Sequence, residues 1–135
     1  MSKGNALEAQ LIALIFNGTP LPWSASNLSV ALHTADPGEE GSQATSEATY
    51  TGYARVLVPR DNTGWTLAGS QAVNAQEVTF GECTGGSNTI THVSVGLGAT
   101  GPAQILYKAA LTAPLAVSNL ITPRFPAGTL VVQED

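Results

Sequence analysis

The residues of this chain that could carry chemistry are two histidines, one cysteine and a group of carboxylates. His33 and His92 lack the close His or Cys spacing of zinc sites, so we expect them to be buried or interface residues. Cys83 follows Glu82, with no histidine near it in sequence to activate the thiol. No G-x-S-x-G sequence marks a serine nucleophile. We therefore expect no catalytic residues, no metal site and no cofactor, and predict that the protein is not an enzyme.

The carboxylates concentrate in one long segment between two strand-like runs. Asp36, Glu39, Glu40 and Glu47 stand among small polar residues, and Asp36-Pro37-Gly38 predicts a turn. Their spacing differs from that of an EF-hand calcium loop. A solvated acidic loop is the first interpretation, contact with a basic patch of a partner the second, and calcium binding the third. A loop of this length in a small domain is usually functional or mobile.

A glycine-rich motif stands in the last third of the chain. Gly96–Gly101 matches G-x-G-x-x-G and follows a predicted strand, as a dinucleotide fingerprint does. The fingerprint must open a helix whose N-terminus receives the pyrophosphate, whereas Pro102 and another strand-like run follow here. The motif therefore predicts a hairpin loop.

Low charge characterises the whole chain. Only 11% of its 135 residues are charged, against roughly 25% in an ordinary globular domain, while 43% are hydrophobic. Charges are depleted where surfaces are covered by neighbours, so this balance is typical of a protein with large interfaces. The length supports one domain, which we assign to residues 1–135, with an N-terminal helix or arm over 1–18 and a β-sandwich over 28–134.

Several partner classes are disfavoured by the same numbers. The net charge is −5 and the five basic residues form no run, so we expect no nucleic acid partner. The N-terminal apolar run is short and interrupted by Glu8 and Gln10, which argues against a signal peptide, and no run is long enough to span a bilayer. The single cysteine excludes an intrachain disulfide.

One helix is predicted, over residues 5–17. Asn5 and Glu8 have the spacing of a capping box, and Asn17-Gly18 predicts the C-terminal stop. Apolar residues recur at helical spacing and form a wide face: Leu7, Leu11, Leu14 and Ile15, widened by Ile12 and Phe16. This helix either packs on its own domain or docks as an arm on a neighbouring subunit.

The rest of the chain is predicted to be strands separated by turn residues. The runs lie at 28–34, 53–58, 65–67, 72–75 and 77–80, 89–97, 104–111, 121–125 and 129–133. In the run 89–97, Ile90, His92, Ser94 and Gly96 are predicted on one face and Thr91, Val93, Val95 and Leu97 on the other. About eight strands at this spacing predict an all-β protein, an antiparallel sandwich or barrel with one short N-terminal helix.

Three stretches of the chain form a recognisable pattern: Leu32-His33-Thr34-Ala35-Asp36-Pro37-Gly38, Thr45-Ser46-Glu47 and Tyr50-Thr51-Gly52-Tyr53-Ala54-Arg55-Val56. In this pattern the chain resembles a family of small tailed-phage virion proteins. Members of this family are often labelled tail-fibre-like, and the chain is most similar to capsid cement, or decoration, proteins of the kind found on Bordetella phage heads. The resemblance implies a jelly-roll β-sandwich without catalytic activity, located on the outside of an icosahedral head.

From these residues and this resemblance we predict a structural virion protein, a capsid decoration protein that stabilises contacts between major capsid subunits. The expected partners are the major capsid protein and further copies of the chain, with a dimer expected ahead of a trimer. The expected location is the capsid surface, after assembly in the bacterial cytoplasm. The predicted partner-binding residues are Leu7, Leu11, Asp36, Pro37, Glu39, Glu40, Glu47, Tyr50, Tyr53 and Arg55.

Two other functions stay open. One is a tail-fibre, baseplate or head–tail adaptor component, which would be present in few copies per particle. The other is a carbohydrate-binding β-sandwich that uses Trp23, Trp65 and nearby tyrosines. If the 36–51 loop is a docking element, shortening it is expected to leave the fold intact and to weaken particle binding.

Overall fold

The computed structural model describes residues 1–134. Within them the chain forms one helix and ten strands, in this order: β1 (Ser2–Lys3), α1 (Asn5–Asn17), β2 (Asn27–His33), β3 (Val56–Pro59), β4 (Trp65–Ala68), β5 (Gln71–Asn74), β6 (Val78–Thr79), β7 (Asn88–Gly96), β8 (Ile105–Val117), β9 (Arg124–Phe125) and β10 (Val131–Gln133). The predicted helix and the positions of the predicted strands are confirmed, β1 is an addition, and β8 runs to Val117, beyond its predicted end at residue 111. The strand predicted at 53–58 begins only at Val56, because the backbone turns at Tyr53, whose N–H donates to Tyr50 O.

The strands form three antiparallel sheets. Five strands pair in the order β1-β8-β7-β2-β3, three in the order β10-β5-β4, and β6 pairs with β9. The hydrophobic core takes side chains from both larger sheets: Val30, Leu32, Val93 and Val95 from the first, and Trp65 from the second. The predicted all-β sandwich is therefore confirmed.

Both faces of the central strand β2 are covered. Val30 and Leu32 point into the hydrophobic core, whereas the alternating residues Ser29, Ala31 and His33 point to the other side and are equally buried. An ordinary sandwich strand exposes one face to water. A further layer must therefore lie over this sheet, and the chain between β2 and β3 supplies it.

The predicted alternation along β7 is wrong at one residue. Ile90 packs in the same core as Val93 and Val95, although its odd spacing from them predicts the opposite face. The register between β7 and β8 is interrupted between Ile90 and His92. A bulge of this kind inserts extra residues on one strand and shifts the phase of the side chains beyond it.

Helix α1 begins against the edge of the sheet. Its N-cap is Gly4, without a side-chain capping bond, so the predicted Asn5 capping box is wrong. Gly4 N donates to Leu106 O, and a Cβ there would lie 2.6 Å from Ile105 O, so this close approach requires glycine. The predicted stop is confirmed, with Gly18 in the left-handed conformation (φ 66°). Among residues 1–134, no helix has both the length and the apolar character required to cross a membrane.

Candidate functional site

The acidic segment between β2 and β3 folds back over the five-stranded sheet. We call residues 34–55 the cover segment. Several backbone hydrogen bonds tie it to the domain, among them Ala48 N to Leu32 O (2.9 Å), Gln43 N to Ala103 O (2.9 Å) and Thr51 N to Gly85 O (2.9 Å). Its later residues Ala48 and Tyr50 enter the hydrophobic core itself. The segment is thus a layer of the fold, not a free loop.

A closed polar network lies beneath the cover segment. His33 has no exposed surface, and its Nδ1 lies 2.8 Å from Thr45 O. Because a carbonyl only accepts hydrogen bonds, Nδ1 carries the proton and Nε2 accepts from the Ser94 hydroxyl at 2.8 Å. Burial lowers the pKa of His33, since it disfavours the charged imidazolium. The histidine is therefore held neutral, in one tautomer.

Gln43 connects the hydrogen-bonded pair of His33 and Ser94 to Ser29 on β2. Its Oε1 accepts from Ser29 Oγ at 2.7 Å, and its Nε2 donates to Ser29 O at 3.1 Å and to Ser94 Oγ at 3.4 Å. Gln43, Ser29 and Ser94 are all fully buried. A Cβ at Gly96 would lie 2.4 Å from Gln43 Cδ, so the glycine makes room for the amide. These polar side chains satisfy one another and offer no surface to a substrate.

A buried ion pair fastens the end of the cover segment. Arg55 holds both oxygens of Glu47, with Nε to Oε2 at 2.7 Å and Nη2 to Oε1 at 2.9 Å. The Tyr53 hydroxyl donates to Glu47 Oε2 at 2.6 Å. The side chains of Arg55 and Glu47 are only 2% and 18% exposed. The hydrogen bond from Arg55 to Glu47 raises the pKa of Arg55, and burial raises that of Tyr53, so Arg55 stays charged and Tyr53 protonated.

The same arginine also holds the glycine-rich loop. Arg55 Nη1 donates to Gly98 O at 3.0 Å and Nη2 to Gly101 O at 2.6 Å. The Gly96–Gly101 motif connects the antiparallel strands β7 and β8, which confirms the predicted hairpin loop. Its carbonyl groups face a guanidinium, a cation, which is the opposite of a phosphate-binding arrangement.

The ten predicted partner-binding residues occupy different environments. Leu7, Pro37, Tyr50 and Arg55 are buried, Leu11, Glu47 and Tyr53 are half-buried, and Asp36, Glu39 and Glu40 are exposed. Direct contact with a partner stays a prediction for all of them. The buried members cannot reach a partner unless the fold opens, so the exposed carboxylates are the ones available for contact.

The three exposed carboxylates have partners within the chain. Asp36 pairs with Lys108 at 3.1 Å, and the Gly38 N–H together with Lys108 lowers the pKa of Asp36. Glu39 accepts from Ser2 Oγ at 2.7 Å, and Glu40 lies 3.4 Å from Asn5 Nδ2. In the part of the chain that the structure describes, no three His, Cys, Asp or Glu side chains are placed to hold a metal ion.

The most exposed apolar surface lies on helix α1, at residues other than the predicted Leu7 and Leu11. Ile12, Ile15 and Phe16 are 58%, 68% and 76% exposed, and we call these three residues the helix stripe. Ile15 and Phe16 follow Ile12 by three and four residues, so they lie beside it, one helical turn further on. No Asp, Glu, Lys or Arg occurs between residues 9 and 35. The sequence did carry a signal for this surface, since Ile12 and Phe16 widen the apolar face of the helix.

The helix is attached by its first half only. Leu7 is buried at 5% exposure, and Gln10 pairs with Gln104 at 3.0 Å. The segment that follows the helix also contacts Gln10, because Trp23 Nε1 donates to Gln10 Oε1 at 2.9 Å. The two sequence interpretations of the helix therefore apply to different halves: the first packs on its own domain, and the second presents an uncovered apolar face.

Comparison with known proteins identifies the family. The family model described as podophage GP4 fiber I protein gp80 matches residues 2–133 of this chain. No curated protein matches it. The match covers nearly the whole sequence, so the chain belongs to this family of phage virion structural proteins.

Proposed function

We propose that this member of the family is a non-catalytic subunit of the podophage fibre apparatus that attaches to neighbouring virion proteins through the helix stripe. The family description, a fiber protein, supports the fibre location. The exposed apolar face of Ile12, Ile15 and Phe16 carries the attachment. A contiguous apolar surface on an otherwise well-packed domain is typical of a protein–protein interface.

The energetics favour attachment through repeated contacts. Fully burying one large apolar side chain contributes about 1.5–3 kcal/mol, so the helix stripe alone makes a weak contact. A lattice or ring that holds several copies converts weak contacts into stable attachment, because each bound copy raises the effective concentration of the next. We therefore propose that the chain forms a homo-oligomer, a dimer ahead of a trimer. Sedimentation velocity measures its mass directly, and a monomer at all concentrations contradicts this part of the proposal.

Capsid decoration is the second candidate. It is favoured by the resemblance of the 32–56 motif to cement proteins, and by a compact sandwich in which no repeat suggests an elongated shaft. In this case the partner is the major capsid protein, and the helix stripe lies across a joint between capsid subunits. The carbohydrate-binding alternative receives less support, since Trp65 is buried and the Arg60 guanidinium lies 5.0 Å from the ring centroid of Trp23.

Purified virions separate the two candidates. Quantitative mass spectrometry gives the number of copies per particle, and gold-labelled antibody against the chain gives its position by electron microscopy. A few copies located on the tail support the fibre assignment. Hundreds of copies on the head overturn it in favour of decoration, and absence from the particle overturns both.

A further inference from the structure

The end of helix α1 carries a partial negative charge that the fold leaves unpaired. Gly18 N and Thr19 N donate to Leu14 O and Ala13 O, whereas no hydrogen bond within residues 1–134 reaches the carbonyl oxygens of residues 15–17. No basic residue stands in the last turn of the helix. Aligned peptide dipoles place about half a negative charge at such an end, so a cation close to it is stabilising. The helix stripe lies beside this end.

A cation with free donors stands at the mouth of a cleft elsewhere on the domain. The exposed residues Arg60 and Asp61 both line the cleft. The Asp61 carboxylate is occupied, because it accepts hydrogen bonds from the backbone N–H and the hydroxyl of Thr63. The Arg60 side chain makes one hydrogen bond within residues 1–134, from Nη1 to Ala25 O at 3.2 Å, and a guanidinium has five donors. The free charge at the mouth is therefore positive, and it is complementary to the end of the helix.

The cleft itself is open to one side and lies between the two larger sheets, and we call it the sheet cleft. Its volume is about 590 Å³, and its walls are almost wholly apolar. Protein interiors leave few voids larger than a water molecule, so sheets that stay apart here leave apolar surface uncovered. The walls come from both sheets: Leu28, Val95 and Leu106 on one side, and Trp65, Ala72 and Val132 on the other.

The helix stripe and the sheet cleft are complementary in form. Cavities of about 300–1,000 Å³ hold drug-sized molecules, so the sheet cleft has room for the phenyl ring of Phe16 together with a neighbouring isoleucine side chain. The two surfaces of one chain do not meet, because the stripe is exposed while the cleft is open. A contact between them therefore joins two copies of the chain.

We propose that the helix stripe of one copy inserts into the sheet cleft of a second copy, with Arg60 of the receiving copy at the C-terminal end of the inserted helix. This inference rests on the proposed function, because it names the partner of the helix stripe. A contact between two different surfaces is made twice in a reciprocal dimer and runs head to tail in a ring. In either assembly it covers the apolar surface that a single chain leaves open at both places.

Two variants of the full chain, each lacking one side of the contact, test the inference. Ile15→Ser with Phe16→Ser removes the stripe and keeps the cleft, whereas Ala72→Phe fills the cleft and keeps the stripe. Each variant alone is expected to be a monomer in sedimentation velocity at concentrations where the parent associates. An equimolar mixture of the two is expected to form a 1:1 complex, because the intact stripe of one enters the intact cleft of the other.

Further variants provide the controls. Ala68→Phe adds the same ring at an exposed position of β4 outside the cleft and is expected to associate as the parent does. Thr66→Trp, at an exposed lining position, is the second blocking variant if Ala72→Phe fails to fold. Arg60→Gln is expected to weaken association about two- to fivefold, the usual effect of a cation at a helix C-terminus, whereas Arg124→Gln, exposed on β9, is expected to leave it unchanged.

Three results overturn the inference, and they differ in what they say about the proposed function. If the blocking variants associate as the parent does while the stripe variant does not, the stripe still mediates attachment but the cleft is not its partner. If both variants are monomers and their mixture stays monomeric, the two surfaces do not bind each other. A parent that is monomeric at all concentrations removes the proposed homo-oligomer as well, and incorporation into virions then tests the helix stripe alone.

Discussion

The cover segment and helix α1 both pack against the five-stranded sheet, yet their side chains serve opposite purposes. The cover segment contains all four acidic residues of the predicted site, and its buried polar groups bond to one another or to Ser29 and His33 of the sheet. The helix contains a single charged residue, Glu8, and leaves Ile12, Ile15 and Phe16 in solvent. In this domain buried polar contacts hold the cover segment on the sheet, and the surface that we propose for attachment is uncharged.

The buried contacts of the cover segment also show what the residues of the 32–56 sequence motif do in the fold. His33 bonds to Thr45, Glu47 to Tyr53 and Arg55, and each of these residues belongs to the motif. The motif residues are thus partners of each other across the cover segment. The motif thus describes how the sheet is closed, and it need not mark a binding site.

The largest effect is expected from removing the cover segment. Replacing residues 36–51 with a two-residue turn uncovers Ser29, His33 and Ser94 and deletes Glu47, which leaves Arg55 as an unpaired charge. The sequence alone suggested that such a shortening spares the fold, and these contacts reverse that expectation. Since whole domains are stable by only about 5–15 kcal/mol, we expect no cooperative thermal unfolding by circular dichroism. A variant that melts as sharply as the parent contradicts the assignment of the segment as a structural layer.

The next largest effect is expected from breaking the ion pair. Glu47→Ala leaves the buried Arg55 guanidinium without its carboxylate, and such losses cost about 3–5 kcal/mol. Urea denaturation measures the change in the free energy of unfolding. Glu82→Ala, a substitution of the same type at an exposed position, is the matched control and should change stability by no more than about 0.5 kcal/mol. Equal effects of the two substitutions would show that the pair does not stabilise the domain.

A smaller, pH-dependent effect is expected from His33. Its pKa is lowered in the folded state by burial, so below about pH 6.5 the unfolded chain binds a proton that the folded chain does not. Stability from this group is therefore complete above about pH 6.5 and is lost as pH falls toward the lowered pKa, by at most about 1.4 kcal/mol per pH unit. Denaturation of the parent and of His33→Gln between about pH 5 and 7 tests this, and the variant should lose that slope. His92→Gln is the control, and an unchanged slope in His33→Gln refutes the explanation.

The smallest effect on stability, with the largest on association, is expected at the helix stripe. Ile15→Ser with Phe16→Ser changes exposed side chains and should alter the free energy of unfolding by no more than about 0.5 kcal/mol. The same variant should lose self-association in sedimentation velocity and incorporation into virions. Leu120→Ser, at a position 71% exposed after β8, is the control for removal of exposed apolar surface in general. If Leu120→Ser has the same effect on association, the helix stripe is not the interface.

The local elements could be predicted from the sequence because they depend on local signals. Helical spacing with a glycine stop predicted α1 over residues 5–17, and period-two alternation between turn residues predicted the strands. The hairpin character of Gly96–Gly101 followed from the proline and strand after it. The bulge at Ile90–His92 could not be predicted, because it depends on how two distant strands align.

The site was harder to predict, since charge in a sequence does not reveal its partner. Ser29, Gln43 and Ser94 lie far apart along the chain and are ordinary polar residues, yet they form a fully buried network with His33. Glu47 and Arg55 were predicted to face a partner, and the structure pairs them with each other. Their pairing follows from the path of the backbone over the sheet.

The sequence by itself thus determined the all-β class, the helix bounds and the low charge that is typical of a protein with large interfaces. Only the tertiary structure decided which side chains are buried and which are exposed. Burial of a polar group is stable only where partners converge on it from distant segments, and apolar residues stay exposed where no segment reaches them. In this chain the distant segments converge on His33 and Arg55 and leave Ile12, Ile15 and Phe16 uncovered.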